Sequence, residues 1–129
     1  MNTIAKLIVT IENQNREYLV TEKLVSIGRS DENLIMINHP TVSRVHAHII
    51  RNQDKYYIKD MSSFKRTYLN GDKILGEPVE LKDRDRLKLG SITARFILEN
   101  IAEPDLLFYE QKQQTEERKK YVIPTDQMR

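Results

Sequence analysis

The stretch "AHIIRNQDKYYIKD", residues 47–60, places two apolar runs on either side of a short polar segment. Its β-branched and aromatic residues favour strands, and its central asparagine and aspartate are typical of turns. The stretch therefore predicts a β-hairpin. The same arrangement recurs elsewhere in residues 1–99, where three further turn signals separate apolar runs: "ENQNR" (12–16), "LNGD" (69–72) and "KDRD" (82–85).

The apolar residues of these runs alternate with their neighbours, as they do in strands that bury one face. Near the end of the region, Ile92, Ala94, Phe96 and Leu98 share one face of a last strand. Period-two alternation with frequent turns predicts an all-β antiparallel sandwich or barrel. The core candidates are Leu7, Val9, Ile27, Ile49, Ile58, Leu87, Leu89 and Phe96.

Composition limits the functions open to the chain. Its 129 residues suffice for one domain with a core, and a net charge of +2 argues against a general nucleic-acid binder. The absence of cysteine excludes disulfides and thiolate chemistry. No apolar run reaches membrane length and the N-terminus does not resemble a signal peptide, so we expect a cytoplasmic protein that binds no membrane.

The composition changes near residue 100. A helix start at Pro104-Asp105 is followed by good helix formers, and Pro124 would end the helix. Because most of this segment is polar all round, we expect an exposed, partner-bound or partly formed helix. The predicted organisation is a sandwich over 1–99 and a helical or mobile tail over 100–129.

The segment "TVSRVHAHII", residues 41–50, raises two chemical possibilities. Ser43 and His46 with Asp60 suggest a catalytic triad, but the segment lacks the glycines of a nucleophile elbow. His46 and His48 share a strand face, but the spacing supplies no third metal ligand. There is also no glycine-rich phosphate loop, so we expect no enzyme, no metal and no cofactor.

A third possibility is an anion-binding rim. Gly28 allows close backbone approach after a strand, and Arg29 then projects from a loop. If Arg29 and Ser43 converge, a guanidinium fork and a hydroxyl together suit the oxygens of a phosphate.

These elements together resemble the forkhead-associated (FHA) domain family over about residues 5–98. The resemblance rests on "VSIGRSDENLIMINHPTVSRVHAHI" (25–49), "YYIKDMSSFKRTYLNGDKI" (56–74) and "VELKDRDRLKLGSITARFIL" (79–98). It implies a β-sandwich that binds phosphothreonine peptides and serves as a signalling or regulatory adaptor.

The resemblance also implies residue roles. Arg29 would bind the phosphate and nearby peptide backbone, Ser43 would donate its hydroxyl to the phosphate, and Arg44 would face the peptide. Gly28 and His46 would be architectural.

The loop after Asp60 departs from the family pattern Ser-Ser-x-Asn-Gly-Thr. Here it reads Ser-Ser-Phe64-Lys65-Arg66-Thr67, so lysine and arginine replace asparagine and glycine. Lysine only donates hydrogen bonds, whereas asparagine also accepts them, so we expect altered reading of the peptide main chain. We place Lys65, Arg66 and Thr67 among the peptide-binding residues, and Asn70 and Gly71 among those that support the site.

Two classes of function remain. One is a reader of phosphothreonine in a partner protein, in the chain's own tail through Thr115 or Thr125, or in a second copy. The alternative is a phosphorylation-independent scaffold that uses a sandwich face or the tail helix.

Overall fold

The computed structural model describes residues 2–62, 64 and 66–101, and within them the chain folds into eleven strands. The predicted tail helix, its threonines and Lys65 lie outside the described residues. The strands are β1 (Asn2–Ile11), β2 (Gln14–Leu19), β3 (Leu24–Gly28), β4 (Ile35–Met36), β5 (Ala47–Asn52), β6 (Lys55–Asp60), β7 (Thr67–Leu69), β8 (Asp72–Lys73), β9 (Val79–Leu81), β10 (Asp85–Leu89) and β11 (Ile92–Ile101).

These strands form two sheets. One has the order β2-β1-β11-β10-β7-β8, and the other has the order β4-β3-β5-β6-β9. The hairpin predicted from residues 47–60 is the β5–β6 pair, in which Ile49 lies opposite Ile58. The β3–β4 pair is parallel, unlike the antiparallel pairing predicted for the sandwich as a whole. The loop over residues 29–34 brings the chain back so that β4 runs in the same direction as β3.

The core lies between the inward faces of the two sheets. All eight predicted core residues are buried, and the aromatic ring of Phe96 packs against that of Tyr56 at 5.4 Å between centroids. Alternation in β11 is also as predicted, because Ile92, Ala94 and Phe96 are buried while the residues between them are exposed. The all-β sandwich is therefore confirmed.

The chain divides into two compact units. One is Ala5–Leu98, and the described residues of the other are 2–4 and 99–101. Within the second unit, the Thr3 hydroxyl donates a hydrogen bond of 2.8 Å to Asn100 Oδ1. The site described below lies entirely in the first unit. None of the described residues belongs to a helix that is long and apolar enough to cross a membrane.

Candidate anion-binding site

Three loops at one end of the sandwich carry the predicted site residues. The first loop (29–34) joins β3 to β4, the second loop (37–46) joins β4 to β5, and the third loop (61–66) joins β6 to β7. Ser63 and Lys65 of the third loop lie outside the described residues.

Gly28 lets the first two loops approach each other. A Cβ atom on this residue would lie 2.2 Å from the carbonyl oxygen of Arg44, which no real side chain tolerates. The backbone of Gly28 therefore approaches that of Arg44 closely, which is the property that the sequence suggested for this glycine.

Arg29 and Ser43 are brought together by two hydrogen bonds from the arginine. Its backbone N–H donates to the carbonyl of Ser43 at 2.9 Å, and its Nε donates to the carbonyl of Val42 at 2.9 Å. The second bond fixes the plane of the guanidinium. The residue is exposed, and no hydrogen bond to its terminal nitrogens occurs among the described residues, so their donors are available to a ligand.

Asn33 holds the first loop to the second. This side chain is 2% exposed, and its Nδ2 donates to the carbonyls of Ser30 at 2.8 Å and Arg44 at 2.7 Å. Sequence reasoning missed Asn33, because an asparagine in a polar loop gives no sign that tertiary packing will bury it. Its two donated bonds satisfy loop carbonyls that would otherwise lose their water partners.

His46 joins the second loop to the third. Its ring is fully buried, and Nδ1 accepts a hydrogen bond of 3.0 Å from the backbone N–H of Ser43. Because Nδ1 is an acceptor, Nε2 carries the proton and donates to the carbonyl of Arg66 at 3.2 Å. Burial lowers the pKa of His46, with a smaller opposing effect from the bonded carbonyl, so the ring is neutral near pH 7.

This geometry argues against a catalytic triad. Both ring nitrogens of His46 are engaged with backbone groups, so neither can accept the proton of the Ser43 hydroxyl. The oxygen Oδ1 of Asp60 accepts hydrogen bonds from the hydroxyls of Ser62, at 2.7 Å, and Thr67.

Asp60 instead organises the base of the third loop. Asp60 accepts hydrogen bonds from the hydroxyls of Ser62 and Thr67. The hydroxyl oxygen of Ser62 in turn accepts a hydrogen bond of 2.9 Å from the backbone N–H of Arg66. Asp60, Ser62 and Thr67 are all buried. The structure thus places Thr67 inside the loop's support, with its hydroxyl turned towards Asp60.

A fourth segment, the turn between β10 and β11, braces the second and third loops. The backbone N–H of Gly90 donates to the carbonyl of Arg66 at 3.0 Å. The backbone N–H of Ser91 donates to the hydroxyl oxygen of Thr41 at 2.9 Å. Gly90 has φ +61, and a Cβ there would lie 2.2 Å from the carbonyl oxygen of Thr41. No local pattern in the sequence signals this long-range brace.

Cationic side chains surround the three loops and the brace. Arg29, Arg44 and Arg66 are exposed, and the guanidinium of Arg66 lies 5.5 Å from the ring centroid of Phe64. Phe64 is itself 71% exposed, so the pair forms a projecting aromatic and cationic tip on the third loop. The exposed carboxylates of Asp31 and Glu32 belong to the first loop, so the rim carries both signs of charge.

Asn70 and Gly71 form the predicted tight turn, which joins β7 to β8, with φ of 51° and 92°. The Asn70 side chain bonds β10: its Nδ2 donates to Asp85 at 3.0 Å, and its Oδ1 accepts from the Arg86 N–H at 2.9 Å. The pair therefore fixes β7 and β8 against β10, the strand that leads to the brace at Gly90.

The histidines do not assemble a metal site. No group of three or more potential ligands occurs in the described part of the chain. His48 lies on β5, where burial and then the charge of Lys59 lower its pKa. His39 Nδ1 shares a 2.9 Å hydrogen bond with the Thr41 hydroxyl.

The FHA domain model matches residues 25–90, which include all three loops and Gly90 of the brace. The chain belongs to the FHA domain family. This family consists of protein-interaction modules rather than enzymes.

The chain is also similar to individual known proteins. An oxoglutarate dehydrogenase inhibitor from Corynebacterium jeikeium is 30% identical over 88 residues. The match covers 66% of this chain and only 58% of that relative's length. The Slr1951 protein from Synechocystis sp. is 28% identical with a TM-score of 0.68, covering 78% of this chain and 100% of that one. A structure described under phosphothreonine-dependent FHA domain interactions is 21% identical with a TM-score of 0.69. The match covers 76% of this chain and 99% of that one.

Proposed function

We propose that this FHA domain binds phosphothreonine in a partner protein and acts as a signalling or regulatory adaptor. The observation that carries the proposal is the bonding of Arg29 to the carbonyls of Ser43 and Val42, which fixes an exposed arginine beside the half-buried Ser43. Membership of the family supports phosphothreonine reading over a phosphorylation-independent scaffold.

Arg29 and Ser43 would contact the phosphate directly. The Nε of Arg29 is engaged with Val42, so the terminal nitrogens remain to donate charge-assisted hydrogen bonds to phosphate oxygens. The half-buried Ser43 would add one hydroxyl donor. Arg44 and Arg66 would contribute longer-range attraction to the dianionic group.

The remaining predicted residues divide between support and reading. We assign Gly28 and His46 to support, as the sequence predicts, because both are buried within the loops. We also assign Thr67 to support rather than to the peptide contacts predicted for it, because it is buried with its hydroxyl bonded to Asp60. Asn70 and Gly71 would support the site indirectly, through β10. Lys65, at the family's asparagine position, would read the peptide main chain differently, because it offers donors and no acceptor.

The decisive experiment compares a phosphothreonine peptide pool with its unphosphorylated twin by fluorescence anisotropy. Each pool has one fixed central residue, phosphothreonine or threonine, and degenerate flanking positions. We expect binding of the phosphorylated pool only. Equal binding of both pools would refute phosphothreonine reading and leave the scaffold alternative. A pull-down before and after phosphatase treatment gives the same comparison with natural partners.

A further inference from the structure

A cationic groove lies on the outer face of the larger sheet, beside the third loop. It has a volume of about 860 Å³ and begins at Arg66. Its other charged lining residues are Arg86 and Lys88 of β10 and Arg95 of β11. No aspartate or glutamate lines it.

The register of the strands makes this arrangement unfavourable for the fold by itself. Arg86 and Arg95 are direct cross-strand partners, and like charges in such pairs destabilise a sheet. Lys88 lies two residues further along β10, on the same face as Arg86. Three cations therefore crowd one exposed surface.

None of the four groove cations forms an ion pair with a carboxylate among the described residues. The ion pairs found there involve other cations: Lys6 with Glu17, Lys82 with Glu80, and Arg84 with Asp83. A neutralising group for the groove would have to come from outside these residues, and a ligand that supplied one would relieve the repulsion between Arg86 and Arg95.

The groove is continuous with the candidate phosphate rim. Arg66 belongs to both, and its carbonyl accepts the hydrogen bonds from His46 and Gly90 that brace the rim. From Gly90, the residue after the end of β10, back to Arg86 is four residue steps, or about 14 Å at the rise of a strand. An extended peptide of roughly four residues covers the same length.

We propose that this groove binds an acidic segment of the same phosphorylated partner that occupies the rim. The inference rests on the proposed function and adds the chemistry of the partner: a phosphothreonine with a cluster of aspartate or glutamate nearby in its sequence. Side chains on one face of an extended peptide repeat about every 7 Å, which matches the spacing of Arg86 and Lys88 on β10.

An acidic peptide suits the groove better than a nucleic acid. The whole chain has a net charge of only +2, whereas nucleic-acid-binding domains carry a larger basic excess. The groove is lined by one aromatic side chain, Tyr68, whereas binding of single strands uses aromatic residues for successive bases.

The test uses two phosphothreonine peptide pools that differ only in a flanking block of four residues. The block is tetra-aspartate in one pool and tetra-asparagine in the other, placed on either side of the phosphothreonine. For the wild-type chain we expect the aspartate pool to bind about fivefold to tenfold more tightly at low salt. The preference should shrink at high salt, because the groove is exposed.

The double variant Arg86→Gln/Arg95→Gln should lose most of this preference, because Arg66 and Lys88 remain, and should leave the affinity for the asparagine pool unchanged. Its thermal midpoint should equal or exceed that of the wild type, since a like-charge pair has been removed. The control, Lys23→Gln/Lys55→Gln, removes the same charge from exposed positions on the smaller sheet's side and should retain the preference.

Equal binding of the two pools by the wild type would overturn the groove proposal alone. So would an unchanged preference in the Arg86→Gln/Arg95→Gln variant, or displacement of the aspartate pool by an oligouridylate of equal charge at lower concentration. Failure of both pools to bind above their unphosphorylated twins would overturn the proposed function and, with it, the groove proposal.

Discussion

The first and second loops differ from the third loop in whether the residues expected to contact the ligand are also part of the hydrogen-bonded support of the site. In the first two loops, Arg29 is the residue expected to bind phosphate, and its side chain is also hydrogen-bonded to the neighbouring loop. The same residue therefore both supports the site and contacts the ligand. In the third, a buried base at Asp60 and Thr67 supports an exposed tip at Phe64 and Arg66. The family's pattern is kept at the base and lost at the tip.

This difference suggests where the chain tolerates change. Replacing a frame residue alters the packing of buried backbone groups, which carries a large free-energy cost. Replacing a tip residue alters only exposed contacts, which carry small costs. We therefore expect changes in the first two loops to affect stability and phosphate binding, and changes at the tip to affect selectivity.

The largest effect is expected for Gly28→Ala. The new methyl group would clash with the carbonyl of Arg44, so the free energy of unfolding should fall by about 3 kcal/mol. Urea denaturation measures this. The control is Gly71→Ala, which has φ +92 but open space around it and should cost about 1 kcal/mol. Equal losses in the two variants would contradict the close approach of the two loops.

The next effect is the loss of phosphate binding in Arg29→Ala. Removing charge-assisted bonds should weaken binding of the phosphothreonine pool roughly tenfold to a hundredfold. Ser43→Ala should weaken it less, since it removes one neutral hydroxyl. Calorimetry provides the measurement, and Arg16→Ala, an exposed change on β2, is the control. Unchanged affinity of the Arg29 variant would refute its assignment.

A smaller effect is expected at the tip of the third loop. Lys65→Asn with Arg66→Gly restores the family pattern and should tighten binding of the asparagine-block pool about twofold to tenfold. It should also sharpen the preference for phosphothreonine over phosphoserine. Because Arg66 lines the groove, the same variant should lose part of the preference for the aspartate block. Weaker binding of both pools would show that the two cations are themselves contacts.

The smallest effect concerns pH. The pKa of His46 is lowered by burial, so the unfolded chain takes up the proton first as pH falls. The stability contributed by the neutral ring is therefore complete above the ordinary value of 6.5 and is lost as pH falls through the folded-state pKa. His46→Gln should unfold with a shallower dependence on pH below 6.5 than the wild type does.

His48→Gln separates the two histidines, because burial lowers the pKa of His48 as well. Denaturation midpoints measured across this range in the two variants assign the pH dependence to one ring or the other. A wild-type slope in His46→Gln would show that the buried ring does not contribute to it.

Local patterns in the sequence determined the class of fold and the core. The β5–β6 hairpin, the turn at Asn70-Gly71 and the buried face of β11 all follow from alternation and turn chemistry, which act over a few residues. The Gly28-Arg29 and Ser43 elements were also recognisable, because each is a contiguous motif.

The tertiary structure decided how those motifs are held together. Four contacts join residues that are 9 to 24 positions apart along the chain, and no local period encodes them. They are the bond from buried Asn33 to Arg44, the bond from the His46 ring to Arg66, the brace from Gly90 to Arg66 and the pairing of Arg86 with Arg95. Such contacts depend on which strands become neighbours in a sheet. That order is set by the packing of the whole core, so only the folded chain reveals the frame and the groove.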